Sequence, residues 1–142
     1  MSISMALLLL AATARATPAP LTACGVRYIR VSLDPSLVAS HAVLNFGELM
    51  AFAEDGANVA LRKPASASSE HAPESYCGGA VNDVASAAND GNPCTFMATG
   101  GVGDGFPASV AANPWWEVDL QAPFNLTSLA VYIRNDDSTG TY

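Results

Sequence analysis

Apolar and polar residues alternate strictly from Trp116 to Leu120, with Trp116, Val118 and Leu120 set against Glu117 and Asp119. A period of two describes a strand with one face in a core and the other in water. Asn113-Pro114 supplies the turn that leads into it. The pattern returns from Leu126 to Ile133, with Leu129, Val131 and Ile133 on one face. Pro123 falls in the gap, where it removes no ladder hydrogen bond. Earlier, Ile29, Val31 and Leu33 alternate with Tyr28, Arg30 and Ser32, which predicts a strand over Gly25 to Leu33. Leu44 to Phe52 fits two templates. As a strand with a bulge at Gly47, it puts Leu44, Phe46, Leu49 and Ala51 on one face. As a helix, it puts Val43, Phe46, Met50 and Ala53 on one stripe. Amphipathic strands ending in a polar loop, Arg134 to Thr141, point to an all-β sandwich that presents loops to a ligand. Trp115 and Trp116 are expected in its core, because buried aromatics dominate sandwich cores. Glu117 and Asp119 share one strand face. A catalytic carboxylate pair normally faces across a cleft, so these two read as a solvated face.

The N-terminus adds a second element. Met5 to Ala12 is a short apolar run, and Ala14-Arg15-Ala16 offers small residues at the positions a signal peptidase reads. Residues 1–16 therefore read as a secretory leader cleaved before Thr17. Met1 to Ser4 lacks the usual lysine or arginine, which leaves a buried apolar strand or a misjudged start codon as the other reading. The run is too short to span a bilayer. The mature protein is expected to be extracellular, without a membrane span. A Pro-rich joint follows, Thr17 to Pro20.

Composition narrows the partners. The chain has 142 residues, 50% of them hydrophobic and 13% charged, with a formal net charge of -7. That length suits one domain, or one domain and a fragment. Phosphate binding needs a basic stripe, and Arg62-Lys63 is a pair only, so nucleic acid is excluded as the expected partner. The 3 cysteines make an odd number. Cys77 and Cys94 flank a Gly/Ala/Asn-rich loop that a disulfide would pin, leaving Cys24 over. The other reading is that all are reduced, small buried residues. His71 and Cys77 lack the spacing of a structural zinc site. Asn125-Leu126-Thr127 is a glycosylation sequon at Asn125 if the host is eukaryotic. No Gly-x-Ser-x-Gly, HExxH or dinucleotide fingerprint occurs, and neither His41 nor His71 adjoins a nucleophile motif, so no enzymatic activity is expected.

Several blocks resemble one family. Asn58-Val59-Ala60-Leu61-Arg62-Lys63-Pro64-Ala65, with Ser66-Ala67-Ser68-Ser69 after it, looks like the opening of the galactose-binding-like β-sandwiches. Those include discoidin and coagulation-factor type C domains and the fucose-binding F-type lectins, or fucolectins. Asn113 to Leu120, Asn125 to Leu129 and Val131 to Asp136 look like the lectin branch. The resemblance covers residues 58–142. Arg27 to Val31 and Leu44 to Leu49 look like the family's last two strands placed ahead of its start, which favours the strand reading of Leu44 to Phe52. Residues 17–57 are then either the tail of a preceding repeat or a permuted completion of the following domain. The family's middle strands are expected after Tyr142, which implies a truncated domain with an incomplete core.

The resemblance also implies site residues. Fucolectins hold their sugar with a histidine and two arginines, whose charged donors suit ring oxygens and axial hydroxyls. Arg134 matches the first arginine and Asp136 the acid that orients it. The other reading of Arg134 is a strand-end residue paired with Asp136 or Asp137. The block that carries the histidine reads Cys94-Thr95-Phe96-Met97, so Phe96 stands in its place and brings an apolar wall. Asp137 and Ser138 replace a cysteine pair, and the second arginine falls near Thr141 or beyond. The fucose triad is thus incomplete. Asn89-Asp90-Gly91-Asn92 resembles the family's calcium loop, with Asn89 where valine or isoleucine is usual. Glu48 matches the glutamate that completes the site, and Gly47 stands where a cysteine usually precedes it. Asp90, Asn92 and Glu48 are therefore the expected ligands of a structural calcium ion. Asp104-Gly105 belongs to a glycine-rich surface loop, Gly100 to Ser109.

The expected function is secreted carbohydrate binding, with glycans or glycoproteins as partners and with several copies or repeats adding avidity. The alternatives are an accessory module of a larger extracellular enzyme such as a glycoside hydrolase, or a discoidin-type adhesion domain. Exposed apolar loop tips would favour the last, and Phe106 is the one candidate.

Overall fold

The computed structural model describes residues 2–6, 19–33, 43–73, 75–76, 80–101, 105 and 113–134. Its strands are β1 (Ser2–Ala6), β2 (Ala19–Ser32), β3 (Asn45–Phe46), β4 (Glu48–Ala53), β5 (Ala65–Ala67), β6 (Ser75–Tyr76), β7 (Ala80–Val81), β8 (Met97–Ala98) and β9 (Trp115–Tyr132). The helical element among the described residues is one 3₁₀ turn, Ala85–Ala88. The expected all-β class holds. The main sheet has five strands in the order β1-β2-β9-β4, with β5 also paired to β9. The two-stranded pairs β3-β8 and β6-β7 lie outside it. Pairing is antiparallel except between β1 and β2.

β9 is where the alternation read from sequence becomes a core. Trp116, Val118 and Leu120 are completely buried, and Leu126 and Leu129 nearly so. They pack with Val26, Ile29 and Val31 of β2 and with Leu49 and Ala51 of β4. The two strands expected on either side of Pro123 form one strand of 18 residues. The break survives as a register irregularity: Tyr28 faces Asp119 while Val26 faces Phe124. Gln121 takes a left-handed φ of 68° there, so the chain bends without ending its pairing. Pro123 lies inside that bend, where no ladder hydrogen bond is asked of it.

Leu44 to Phe52 is extended, which decides between its two readings. Leu44, Phe46, Leu49 and Ala51 are all buried, the face a break at Gly47 requires. Gly47 donates its N–H to Tyr132 O at 2.8 Å. A Cβ there would meet the Ile133 carbonyl oxygen at 3.0 Å, so the close approach favours glycine.

The two tryptophans part company. Trp116 is fully buried, donates Nε1–H to Ala85 O at 2.8 Å and meets Phe46 edge-on at 5.4 Å. Trp115 is only half-buried, contrary to the core expectation, because neighbouring strand residues point to opposite faces. It lies instead beneath Arg30, whose guanidinium carbon is 4.3 Å from a Trp115 ring centroid. That outer face carries the carboxylates as well. Arg30 Nε meets Glu117 Oε2 at 3.0 Å, and Arg27 grips Asp119 through Nε and Nη2 at 2.9 and 3.0 Å. Glu117 and Asp119 are thus a paired, solvent-facing row.

Strands from residues 17–57 and from residues 58–142 share the main sheet, since β2 and β4 both pair with β9. β1 runs beside β2, Ser2 opposite Tyr28 and Ala6 opposite Ser32. The strand reading of the N-terminus therefore has a partner as far as Ala6. Cleavage before Thr17 would remove β1 and leave β2 at the sheet edge. No helix among the described residues is long and apolar enough to cross a membrane.

Candidate functional site

Two sequence-derived ligand positions meet at one end of the main sheet. β9 ends at Tyr132, and the Gly47 hydrogen bond fixes that end against the turn between β3 and β4. Arg134, two residues on, sets its guanidinium carbon 3.6 Å from the centroid of the Phe96 ring. That separation is well inside cation–π range. Phe96 is 1% exposed, so its ring is a seat for Arg134 rather than an open apolar wall. Its backbone is pinned on both sides. The N–H donates to Asn82 Oδ1 and the carbonyl accepts from Asp83 N–H, each at 2.9 Å. Asp136, the expected partner of Arg134, lies outside the described residues, as do Asp137, Ser138, Thr141 and Phe106.

The same strand edge brings in a histidine that sequence spacing did not connect to the site. His71 N–H donates to Ala98 O at 3.0 Å, two residues along from the bond between Asp83 and Phe96. His71 Nδ1 lies 3.9 Å from Asp83 Oδ2. No local motif links residue 71 to residue 96; only the fold does.

A second cluster surrounds the Asp90-Gly91 turn. Glu48, 4% exposed, accepts Gly91 N–H through Oε1 at 3.0 Å. Asp90 Oδ1 accepts Asn92 N–H at 2.7 Å and Thr95 Oγ1–H at 2.9 Å. Asn89 is fully buried, and its Nδ2 donates to Ala60 O and Lys63 O at 2.8 and 2.9 Å. The amide thereby gives both carbonyls a donor. Among the described residues, Glu48 Oε2 and Asn89 Oδ1 are the buried side-chain oxygens without a hydrogen-bond partner. Burial pushes the Glu48 carboxyl up to about 7; the nearby Asp90 charge adds to this and the Gly91 N–H opposes it. An orphaned buried carboxylate oxygen beside a turn rich in carbonyls and amides fits a hard, oxygen-seeking cation. Among the described residues, no group of three or more His, Cys, Asp or Glu side chains that could hold a metal ion is found.

The remaining expectations distribute as follows. Cys94 and Cys24 are free thiols. The expected bridge from Cys94 to Cys77 is not seen; Cys94 instead sits in a turn, its N–H donated to Asn92 Oδ1 at 3.1 Å, and Cys77 lies outside the described residues. Asn125 is exposed on β9, and its Oδ1 accepts Gly25 N–H at 3.3 Å. The basic pair makes structural bonds. Arg62 Nε reaches Asp90 O and Lys63 Nζ reaches Gln121 Oε1, each at 3.3 Å.

No protein-family model matches the chain, and neither the curated proteins nor the solved structures give a match.

Proposed function

We propose that this chain is an extracellular carbohydrate-binding module of the lectin type, with Arg134 as its principal polar contact. The observation that carries the reading is the seating of Arg134 on Phe96. A guanidinium resting 3.6 Å from the centre of a buried ring is held in place by that contact. That pre-organisation lowers the entropy cost of gripping vicinal hydroxyls. The resemblance to the fucolectins supplies the ligand class. With Phe96 in place of a histidine, a fucose-like sugar loses one contact of the three expected from that resemblance. A hydrogen bond to a charged group contributes roughly 1.5–3 kcal/mol, so binding at a single site is expected to be at least tenfold weaker and to depend on arrayed copies.

Glu48, Asp90 and Asn92 fit a structural calcium ion, which would supply positive charge to the buried Glu48 carboxylate. Glu48 and the 89–92 turn come from segments far apart in sequence. Holding them together fixes the turn that leads into Thr95 and Phe96, beneath Arg134.

A glycan array probed with the secreted chain, presented as multivalent complexes, tests the function. Signals on terminal neutral sugars, stronger for clustered than for sparse printing, are expected. A blank array at high density would remove the lectin reading. The same preparation tests export: intact mass should place the mature N-terminus at Thr17, and retention of Met1 in a cytosolic product would contradict secretion. From a eukaryotic host, the exposed Asn125 should carry a glycan that a peptide amidase removes.

A further inference from the structure

A cavity of about 500 Å³ opens beside the Asp90-Gly91 turn and shares no residue with the Arg134–Phe96 contact. Its walls come from the 59–62 turn and the residue after it, from β7, from the 3₁₀ turn and from the 89–92 turn. Small-ligand sites have volumes of roughly 300–1,000 Å³, so this one is large enough for a single sugar ring. The rim is cationic, although the chain has a formal net charge of -7. Arg27 and Arg30 are matched by Asp119 and Glu117 on the sheet. Arg62 and Lys63 line the cavity instead, and each bonds one neutral oxygen, at 3.3 Å. Both Nη groups of Arg62 are without a partner among the described residues. One carboxylate, Asp90, lines the same cavity, and its Oδ1 already accepts two hydrogen bonds.

The backbone under this rim is fixed. Arg62 N–H donates to Asn89 O at 2.7 Å, and Asn89 Nδ2 returns bonds to Ala60 O and Lys63 O. Both amide hydrogens are thereby used, and Oδ1 is the end without a partner. Asn89 is fully buried and lines the cavity. A structural cation held by Glu48, Asp90 and Asn92 leaves this oxygen still lacking a donor. Val84 and Val81, the latter 52% exposed, give the lining an apolar part. These groups ask three things of one ligand. A guanidinium beside an ammonium favours a carboxylate. An acceptor without a donor favours a hydroxyl. The valine side chains favour a C–H face. A sugar acid carries all three. We propose that the cavity is a second binding site, for a hexuronic acid, with its carboxylate against Arg62 and Lys63, its ring C–H groups against Val81 and Val84, and a hydroxyl toward Asn89. The site stands apart from the reading of Arg134 and does not depend on it.

Titration calorimetry of the full chain at one fixed free-calcium concentration tests it, with methyl β-D-glucuronide, methyl β-D-glucoside and sodium acetate as probes. The glucuronide should bind. The glucoside, which lacks the acid, and acetate, which lacks the ring, should each bind roughly tenfold or more weakly, since each forfeits contacts the other keeps. Arg62→Asn keeps a residue that tolerates the left-handed φ of 56° at this position. Combined with Lys63→Gln, it should abolish glucuronide binding with little change in melting temperature. Val81→Asp, at an exposed position, sets a like charge beside the ligand and should weaken the glucuronide while leaving the chain folded. Arg134→Ala should leave glucuronide binding unchanged. Absence of heat with the glucuronide, equal binding of acetate, or undiminished binding by folded Val81→Asp and by the folded double variant would each overturn the proposal. Loss of glucuronide binding in folded Arg134→Ala would move the acid to the Arg134 site and overturn it as well.

Discussion

Trp116→Ala is expected to unfold the chain, while Trp115→Ala, one residue away, is expected to leave it folded. Trp116 fills the centre of the core with no exposed surface, stacks edge-on to Phe46 and gives its indole N–H to Ala85 O. Truncating a buried tryptophan costs about 3–5 kcal/mol. The Ala85 carbonyl would lose its donor, which adds about 1–3 kcal/mol if no water replaces it. Against a typical domain stability of roughly 5–15 kcal/mol, little or nothing is left. Trp115 is half-buried on the opposite face, and its loss removes a cation–π contact with Arg30, about 0.5–1 kcal/mol at an exposed site, while Arg30 keeps its pairing with Glu117. Circular dichroism melts of the two variants make the comparison. A cooperative transition for Trp116→Ala near that of the original chain would show that the core is not built around this residue.

Calcium should cancel the pH dependence of stability around neutrality. In the cation-free protein the Glu48 carboxyl titrates near 7, above its ordinary 4.5, because it is buried. Between those values the folded state holds a proton that the unfolded state has released. Stability is then fullest below about pH 4.5 and falls as pH rises through about 7. At 1.36 kcal/mol for each pH unit, the loss is on the order of 3 kcal/mol. A bound cation gives the carboxylate its counter-charge and cancels the slope. At one hundred times its dissociation constant it adds about 2.7 kcal/mol by mass action. Asp119 does not confuse the measurement. Arg27 lowers its pKa below the ordinary 3.8, so its contribution is lost only in more acidic solution. Melting temperatures at pH 5 and pH 8, each in EDTA and in millimolar calcium, are the check. The EDTA series should fall from pH 5 to pH 8, and calcium should restore it at pH 8. Glu48→Gln should flatten both effects. Identical melts in all four conditions would remove the cation site.

Much of this fold was legible in the chain, and the reasons are local. Period-two alternation marked β2 and both halves of β9 because each strand buries one face only. The break at Gly47 was legible only as one of two readings, because the same stretch also carries a helical stripe, and the resemblance rather than the pattern favoured the strand. The joining of the β9 halves was not, because a proline between two alternating runs reads as a gap whether or not pairing continues around it. Trp115 was misread because two adjacent tryptophans in a strand cannot share a face, and composition alone drew both inward. Resemblance brought Arg134 and Phe96 into one site, but it could not say that the ring would lie buried beneath the guanidinium. His71 and Asp83 meet the Phe96–Ala98 segment through backbone bonds to Ala98 and Phe96, pairings that leave no trace in spacing. The orphaned oxygen of Asn89 was hidden for a similar reason: its amide donors serve Ala60 and Lys63, and only the folded loop brings those carbonyls near.

The central claim is that Arg134 grips a sugar from its seat on Phe96. Titration calorimetry of the secreted chain with its strongest array glycan, against folded Arg134→Ala and Arg134→Lys, tests it most directly. Lysine keeps the charge and can still rest on the ring, but it lacks the planar fork. The account predicts no detectable heat for Arg134→Ala and at least tenfold weaker binding for Arg134→Lys, with melting temperatures close to that of the original chain. Equal affinity in all three proteins would make Arg134 a structural cap on Phe96 and contradict the proposed site.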